Sequence, residues 1–126
     1  MSPVPRKVVA TLLGAIAYTA TLWRFLSYTE RNRLPITTYQ TFALALFAIG
    51  FAVALGAGKS RYRTAACAIL GAFLVHATVI ALDWRLDPTD HNLFPFEFLI
   101  LAFAATPVFL GAALAHFGDS ARKRLQ

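Results

Sequence analysis

Four stretches of the sequence are predominantly apolar, and each approaches the roughly 20 residues that a helix needs to cross the hydrocarbon core of a bilayer. They cover approximately residues 8–26, 36–57, 64–82 and 95–117. Charged residues make up 14% of the chain, whereas an ordinary soluble domain carries about 25%. We therefore expect an all-α membrane protein in which residues 1–126 form a single membrane domain, a four-transmembrane-helix up-down bundle.

The first and last stretches carry features that bear on this assignment. The first begins like a signal peptide, with two basic residues ahead of an Ala15-Ile16-Ala17 sequence. Its apolar run continues to Leu26, which is long enough to span, so we expect a retained membrane anchor. The last stretch contains Pro107, which lacks a backbone N–H and should kink the helix about one turn earlier.

The positions of Lys and Arg predict which side of the membrane each end of the bundle faces, because cytoplasmic flanks are enriched in these residues. One side carries eight of them: Arg6, Lys7, Lys59, Arg61, Arg63, Arg122, Lys123 and Arg124. The other side carries four: Arg24, Arg31, Arg33 and Arg85. Both termini are therefore predicted to be cytoplasmic.

The formal net charge of +6 does not indicate a nucleic-acid partner, because the basic residues lie at the ends of apolar stretches and not on one water-exposed face. The expected partners are the lipid bilayer and either further copies of the chain or another membrane subunit. Arg outnumbers Lys nine to three and Ala is frequent. This composition fits a GC-rich bacterial genome and hence the bacterial cytoplasmic (inner) membrane.

Small residues recur at helical spacing in every apolar stretch, and helices in a bilayer associate by close packing of such residues. The second stretch has two ridges of this kind, which predicts contact with two neighbours, unless Ala and Gly are merely abundant. The ridges are Gly50, Ala54 and Gly58, and Ala48, Ala52 and Gly56. Similar pairs in the other stretches are Ala10 and Gly14, Ala68 and Ala72, and Gly111 and Ala115.

Ionisable residues at the outer boundary of the apolar stretches are candidates for an ion path or a ligand site. Arg24, Asp83 and Glu97 lie there, where a charge is unfavourable unless it is paired or hydrated. We expect Arg24 to pair with Asp83 or with Glu97, or else to extend alone toward the headgroups. His76 lies deeper, seven residues before Asp83, and therefore on the same face of the third helix.

A polar stripe on the first helix offers a partner for that face. It consists of Thr11, Tyr18, Thr21 and Tyr28. If the two faces meet, a hydrogen-bonded line runs from His76 toward the outer end, as a proton path, a ligand pocket or a structural contact between helices. His76 and His116 lie at different depths and cannot sandwich one haem iron, so no cofactor is expected.

The longest polar segment runs from Asp83 to Glu97 and carries a candidate metal site. Asp87, Asp90 and His91 are close in sequence and offer oxygen and imidazole ligands for a divalent cation. The alternative is structural, since Asp90 caps turns well and Glu97 complements the dipole of the following helix.

No common catalytic or nucleotide-binding motif is present in the sequence. The sequence therefore favours a small non-enzymatic accessory or self-associating membrane subunit with a polar cluster at its outer face. One alternative is an ion- or proton-coupled permease that uses Arg24, His76, Asp83 and Glu97. Another is a membrane enzyme with an outer-face Asp/His site.

Overall fold

All regular structure in the described part of the chain is helical. The computed structural model describes residues 2–22, 27–86 and 94–126. The helices are α1 (Pro3–Thr21), α2 (Tyr28–Asn32), α3 (Ile36–Ala54), α4 (Arg61–Leu86), α5 (Phe94–Ala105) and α6 (Pro107–Arg124), and a 3₁₀ turn, Gly58–Ser60, precedes α4.

Three helical segments are long and apolar enough to cross a membrane: Ile36–Ala54, Gly58–Leu86 and Pro95–Arg124. They correspond to the second, third and fourth apolar stretches of the sequence. The first stretch is helical as part of α1 up to Thr21, and the predicted span continues into residues 23–26, which lie outside the described residues. The all-helical membrane class is therefore supported by three segments.

The predicted kink at Pro107 is confirmed as a break between α5 and α6. The backbone N–H and the hydroxyl of Thr106 both donate to the carbonyl oxygen of Phe103, at 3.2 Å and 2.7 Å. Pro107 supplies no N–H to continue the α-helical ladder, so one tighter turn replaces it. The break lies directly before the proline and not a full turn earlier.

The long segments alternate in direction. A hydrogen bond of 2.5 Å from Arg6 Nη1 to the carbonyl oxygen of Leu55 joins the start of α1 to the end of α3. Asp119, near the end of α6, accepts hydrogen bonds from the backbone N–H of Gly56, so α3 and α6 end together. Near the opposite ends of α1 and α4, Tyr18 bonds to His76. Helices α1 and α4 therefore run in one direction, and α3 and α6 run in the other.

The most extensive helix contacts are those of α1 with α4 and of α3 with α6, and glycines on both partners permit them. A Cβ added to Gly14 would overlap the backbone of Ala68, and one added to Gly71 would overlap the backbone of Thr11. In the same way, a Cβ added to Gly50 would overlap the backbone of α6, and one added to Gly111 would overlap the backbone of α3. Each crossing is therefore a backbone contact between two helices of the same direction, whereas helices adjacent in sequence pack less closely.

The predicted ridges divide into buried and exposed ones. The small residues at 10, 14, 50, 54, 68, 72, 111 and 115 are all buried. Ala48, Ala52 and Gly56 are exposed, because α3 buries the stripe that contains Phe42, Leu46, Gly50 and Ala54, so their role as a helix interface stays a prediction. Gly58 is also exposed, because α3 ends at Ala54 and the glycine lies in the following turn with φ of 58°.

Two glycines of α6 provide a matched test of the close crossing. Gly111→Ala should lower the free energy of unfolding by about 1–3 kcal/mol, because the new methyl group forces α3 and α6 apart. Gly118→Ala places its Cβ 4.0 Å from Leu55 Cδ2, and it should raise stability by about 0.5–1 kcal/mol through helix propensity. Reversible unfolding in mixed detergent micelles measures both, and equal effects of the two variants would contradict the crossing.

Candidate functional site

The short helix α2 begins with a capping box that fixes its position between the long helices. The Glu30 backbone N–H donates to Ser27 Oγ at 3.2 Å, and the Ser27 backbone N–H donates to Glu30 Oε2 at 3.4 Å. This reciprocal pair satisfies two backbone donors that a helix start leaves unpaired. Pro35 follows, and its ring disfavours helical geometry at Leu34, so α2 ends before α3 begins.

Arg31 of α2 joins α4 to α5 through two carboxylates. Its Nε and Nη2 donate to the two carboxylate oxygens of Glu97, at 2.5 Å and 3.3 Å, in a bidentate arrangement. Its Nη1 donates to Asp83 Oδ2 at 3.0 Å. Only 5% of the Arg31 side chain is exposed, and 10% of each carboxylate side chain. The end of the bundle opposite the amino terminus therefore closes around one buried guanidinium.

The electrostatics of this cluster keep Arg31 charged. Burial by itself lowers the pKa of Arg31, but hydrogen bonds and charge from Glu97 and then Asp83 outweigh it, so the pKa lies above its ordinary value. Removing one partner of such a buried pair generally costs about 3–5 kcal/mol, because the remaining charge has no compensation. Asp83 and Glu97 therefore bind the same guanidinium, which holds their two helices together.

A second buried polar contact lies deeper in the bundle. The Tyr18 hydroxyl and His76 Nδ1 are 2.6 Å apart, and His76 also packs edge-on against Phe98 with ring centroids separated by 4.8 Å. His76 Nε2 is buried and has no hydrogen-bond partner among the described residues. The faces of α1 and α4 therefore meet at Tyr18, while Thr11 and Thr21 bond to carbonyl oxygens of their own helix and do not extend the line.

A small cavity of about 30 Å³ connects the two polar contacts. The polar residues that line it are Tyr18, Arg31, Tyr39, His76 and Glu97. A cavity needs roughly 10–15 Å³ and two to four polar partners to hold a water molecule. The cavity therefore has room and polar neighbours enough for one or two water molecules beside His76 and Glu97.

The sequence-predicted site residues divide into those that converge and those that lie outside the described residues. His76, Asp83 and Glu97 all point inward in the half of the bundle opposite the amino terminus and are buried or half-buried. Arg24, the predicted partner of the carboxylates, lies outside the described residues, so its role stays a prediction.

The predicted metal site also lies outside the described residues, since residues 87–93 include Asp87, Asp90 and His91. Within residues 2–22, 27–86 and 94–126, no group of three or more His, Cys, Asp or Glu side chains is placed to hold a metal ion. The divalent-cation hypothesis for residues 87–91 therefore stays a prediction.

Arg31 is the functional residue that the sequence reasoning missed. It lies between two apolar stretches, in a segment that hydropathy alone assigns to a solvated connection. The available signal was the capping box, in which Ser27 and Glu30 have the spacing that starts a helix. A helix there turns Arg31 to the face opposite the exposed residues Thr29 and Glu30.

Comparison with protein-family models, with curated proteins and with solved structures finds no match to this chain. The functional proposal therefore depends on the geometry of the chain itself.

Arg31→Met should lower the free energy of unfolding by about 3–5 kcal/mol, because it leaves two buried carboxylates without their cation. The triple variant Arg31→Met with Asp83→Asn and Glu97→Gln should recover at least part of that loss, since no charge is then left uncompensated. Arg33→Met, at an exposed position two residues away, is the control. Unfolding in mixed micelles measures all three, and a loss below about 1 kcal/mol for Arg31→Met would refute a buried pair.

Proposed function

We propose that the chain is a small polytopic membrane protein in which α1, α3, α4 and the α5–α6 segment each cross the bilayer. Support for the first crossing comes from the outward face of α1, where Val8, Leu12 and Ile16 are 54%, 57% and 60% exposed. These residues recur every four positions, which is the spacing of one helix face. Such a stripe is favourable against lipid and unfavourable in water.

Both termini lie on the cytoplasmic side in this proposal, in the inner membrane of a bacterium. The start of α1, the end of α3, the start of α4 and the end of α6 meet at one end of the bundle. That end carries the eight basic residues of the amino-terminal, central and carboxyl-terminal flanks, with Asp119 as an acidic neighbour. An excess of Lys and Arg in short flanks favours the cytoplasm.

The protein acts as a non-enzymatic subunit that associates with its own copies or with another membrane protein. The observation that supports this function is the filled interior: the cavity at the polar cluster measures about 30 Å³, whereas ligand sites usually occupy roughly 300–1,000 Å³. The crossings at Gly14, Gly71, Gly50 and Gly111 leave no room for a side chain. With so little space at the polar cluster among the described residues, the bundle works through its outer surface.

Self-association is testable with two substitutions of the same size. Ala52 lies on the exposed small-residue face of α3, where a second helix can approach closely, and Ala77 lies on an exposed face of α4. Light scattering in a mild detergent should give a multiple of 13.8 kDa for the parent protein. Ala52→Leu should weaken association about tenfold, equivalent to about 1.4 kcal/mol, and Ala77→Leu should leave it unchanged. A parent protein that is monomeric and purifies without a partner would contradict the proposal.

A second function, a proton-coupled carrier, is favoured by one specific observation. His76 Nε2 lacks a hydrogen-bond partner among the described residues and belongs to a residue that lines the same cavity as Glu97. Buried ionisable groups in a membrane bundle commonly mark proton paths. In liposomes with a pH gradient this function predicts a proton flux that His76→Gln abolishes and that His116→Gln, at the exposed opposite end, preserves. An unchanged flux in His76→Gln would exclude it.

A further inference from the structure

A cleft of about 340 Å³ opens at the basic end of the bundle, between the turn after α3 and the last turns of α6. Its lining includes Gly56, Arg61, His116, Asp119, Arg122 and Lys123. It is separate from the polar cluster at the opposite end, and neither proposed function uses it. Three cationic side chains line one cleft, which makes it a candidate site for an anion.

Asp119 is the acidic residue of the cleft, and the backbone already engages it. Both of its carboxylate oxygens accept from the backbone N–H of Gly56, at 3.2 Å and 3.1 Å. Its Oδ2 lies 3.9 Å from Arg61 Nη1, which is an ion-pair distance but too long for a hydrogen bond. Asp119 therefore organises the turn, and it leaves hydrogen-bonding capacity on Arg61 unused.

Arg61 lies on the wall of this cleft. Its Nε donates to the carbonyl oxygen of Gly58 at 2.9 Å, which orients the guanidinium. Its Nη1 is closed to solvent on the side of Asp119. The residue therefore contributes to the cleft through its positive charge, together with Arg122 and Lys123. The planar guanidinium fork matches the oxygens of a phosphate group.

The depth of the cleft identifies the source of that phosphate. The apolar part of α4 begins just after Arg61, and the apolar part of α6 ends at Phe117, so the cleft lies where hydrocarbon gives way to headgroups. Tyr62 is 48% exposed next to Arg61, and exposed tyrosines favour this interface. We propose that the cleft binds the phosphate of an anionic phospholipid headgroup through Arg61, Arg122 and Lys123. The inference shares with the proposed function only the crossing of a bilayer.

Retention of phosphatidylglycerol by the purified protein, counted by native mass spectrometry against phosphatidylcholine, tests this site. Arg122→Gln with Lys123→Gln should weaken phosphatidylglycerol binding about 30-fold, because each basic residue near an anionic headgroup contributes about a factor of five. The control, Arg63→Gln with Arg124→Gln, removes the same charge from the same end at exposed positions outside the cleft, and it should preserve binding. Equal losses in the two variants, or no loss in the first, would overturn the proposal.

Two further experiments distinguish a lipid headgroup from soluble phosphate, and a failure of this site from a failure of the membrane crossings. Inorganic phosphate at millimolar concentration should not displace phosphatidylglycerol, and displacement would assign the cleft to a soluble phosphate and overturn the lipid proposal. Flotation of the protein with phosphatidylcholine liposomes is scored separately. Protein that does not float would refute the membrane crossings themselves, whereas protein that floats without selectivity for phosphatidylglycerol would refute this site alone.

Discussion

Backbone-to-backbone contact at four glycines is the constraint on which the rest of the bundle depends. Helices that already lie in lipid gain no hydrophobic free energy by associating, so their stability has to come from close packing and hydrogen bonds. Gly14 and Gly71 permit that approach between α1 and α4, and Gly50 and Gly111 permit it between α3 and α6. Two helix pairs of opposite direction result, and their association brings together the ends of α1, α3, α4 and α5 that lie opposite the amino terminus.

Those ends meet around Arg31, which α2 places between α4 and α5. One guanidinium there binds Asp83 and both oxygens of Glu97. A buried charge of this kind is unfavourable alone and favourable only with all of its partners, so the cluster specifies the position of α2 more than it adds stability. The neighbouring cavity has His76 on its wall and is a place where the interior departs from close packing.

Hydropathy and helical spacing predicted the long helices and the buried ridges, because both follow from local properties of the chain, whereas the short helix α2 was not predicted. The break at Pro107 was predictable for the same reason, since the missing N–H acts within one turn. The direction in which a side chain points was harder to predict: Arg31 has polar neighbours in the sequence, Glu30 and Asn32, which are typical of a solvated connection, yet its side chain is buried. Ala52 has the spacing of an interface residue, but which face of α3 is buried depends on the helices that pack against α3.

If α1 crosses the membrane, as we propose, its direction sets the orientation of every other segment. Single cysteines introduced at Ser2, Thr29 and Lys59, all exposed positions, in a Cys67→Ala background test it directly. A membrane-impermeant maleimide applied to intact bacterial cells should label Thr29→Cys at once, and Ser2→Cys and Lys59→Cys only after permeabilisation. Labelling of Ser2→Cys and Thr29→Cys from the same side would contradict the four-crossing account.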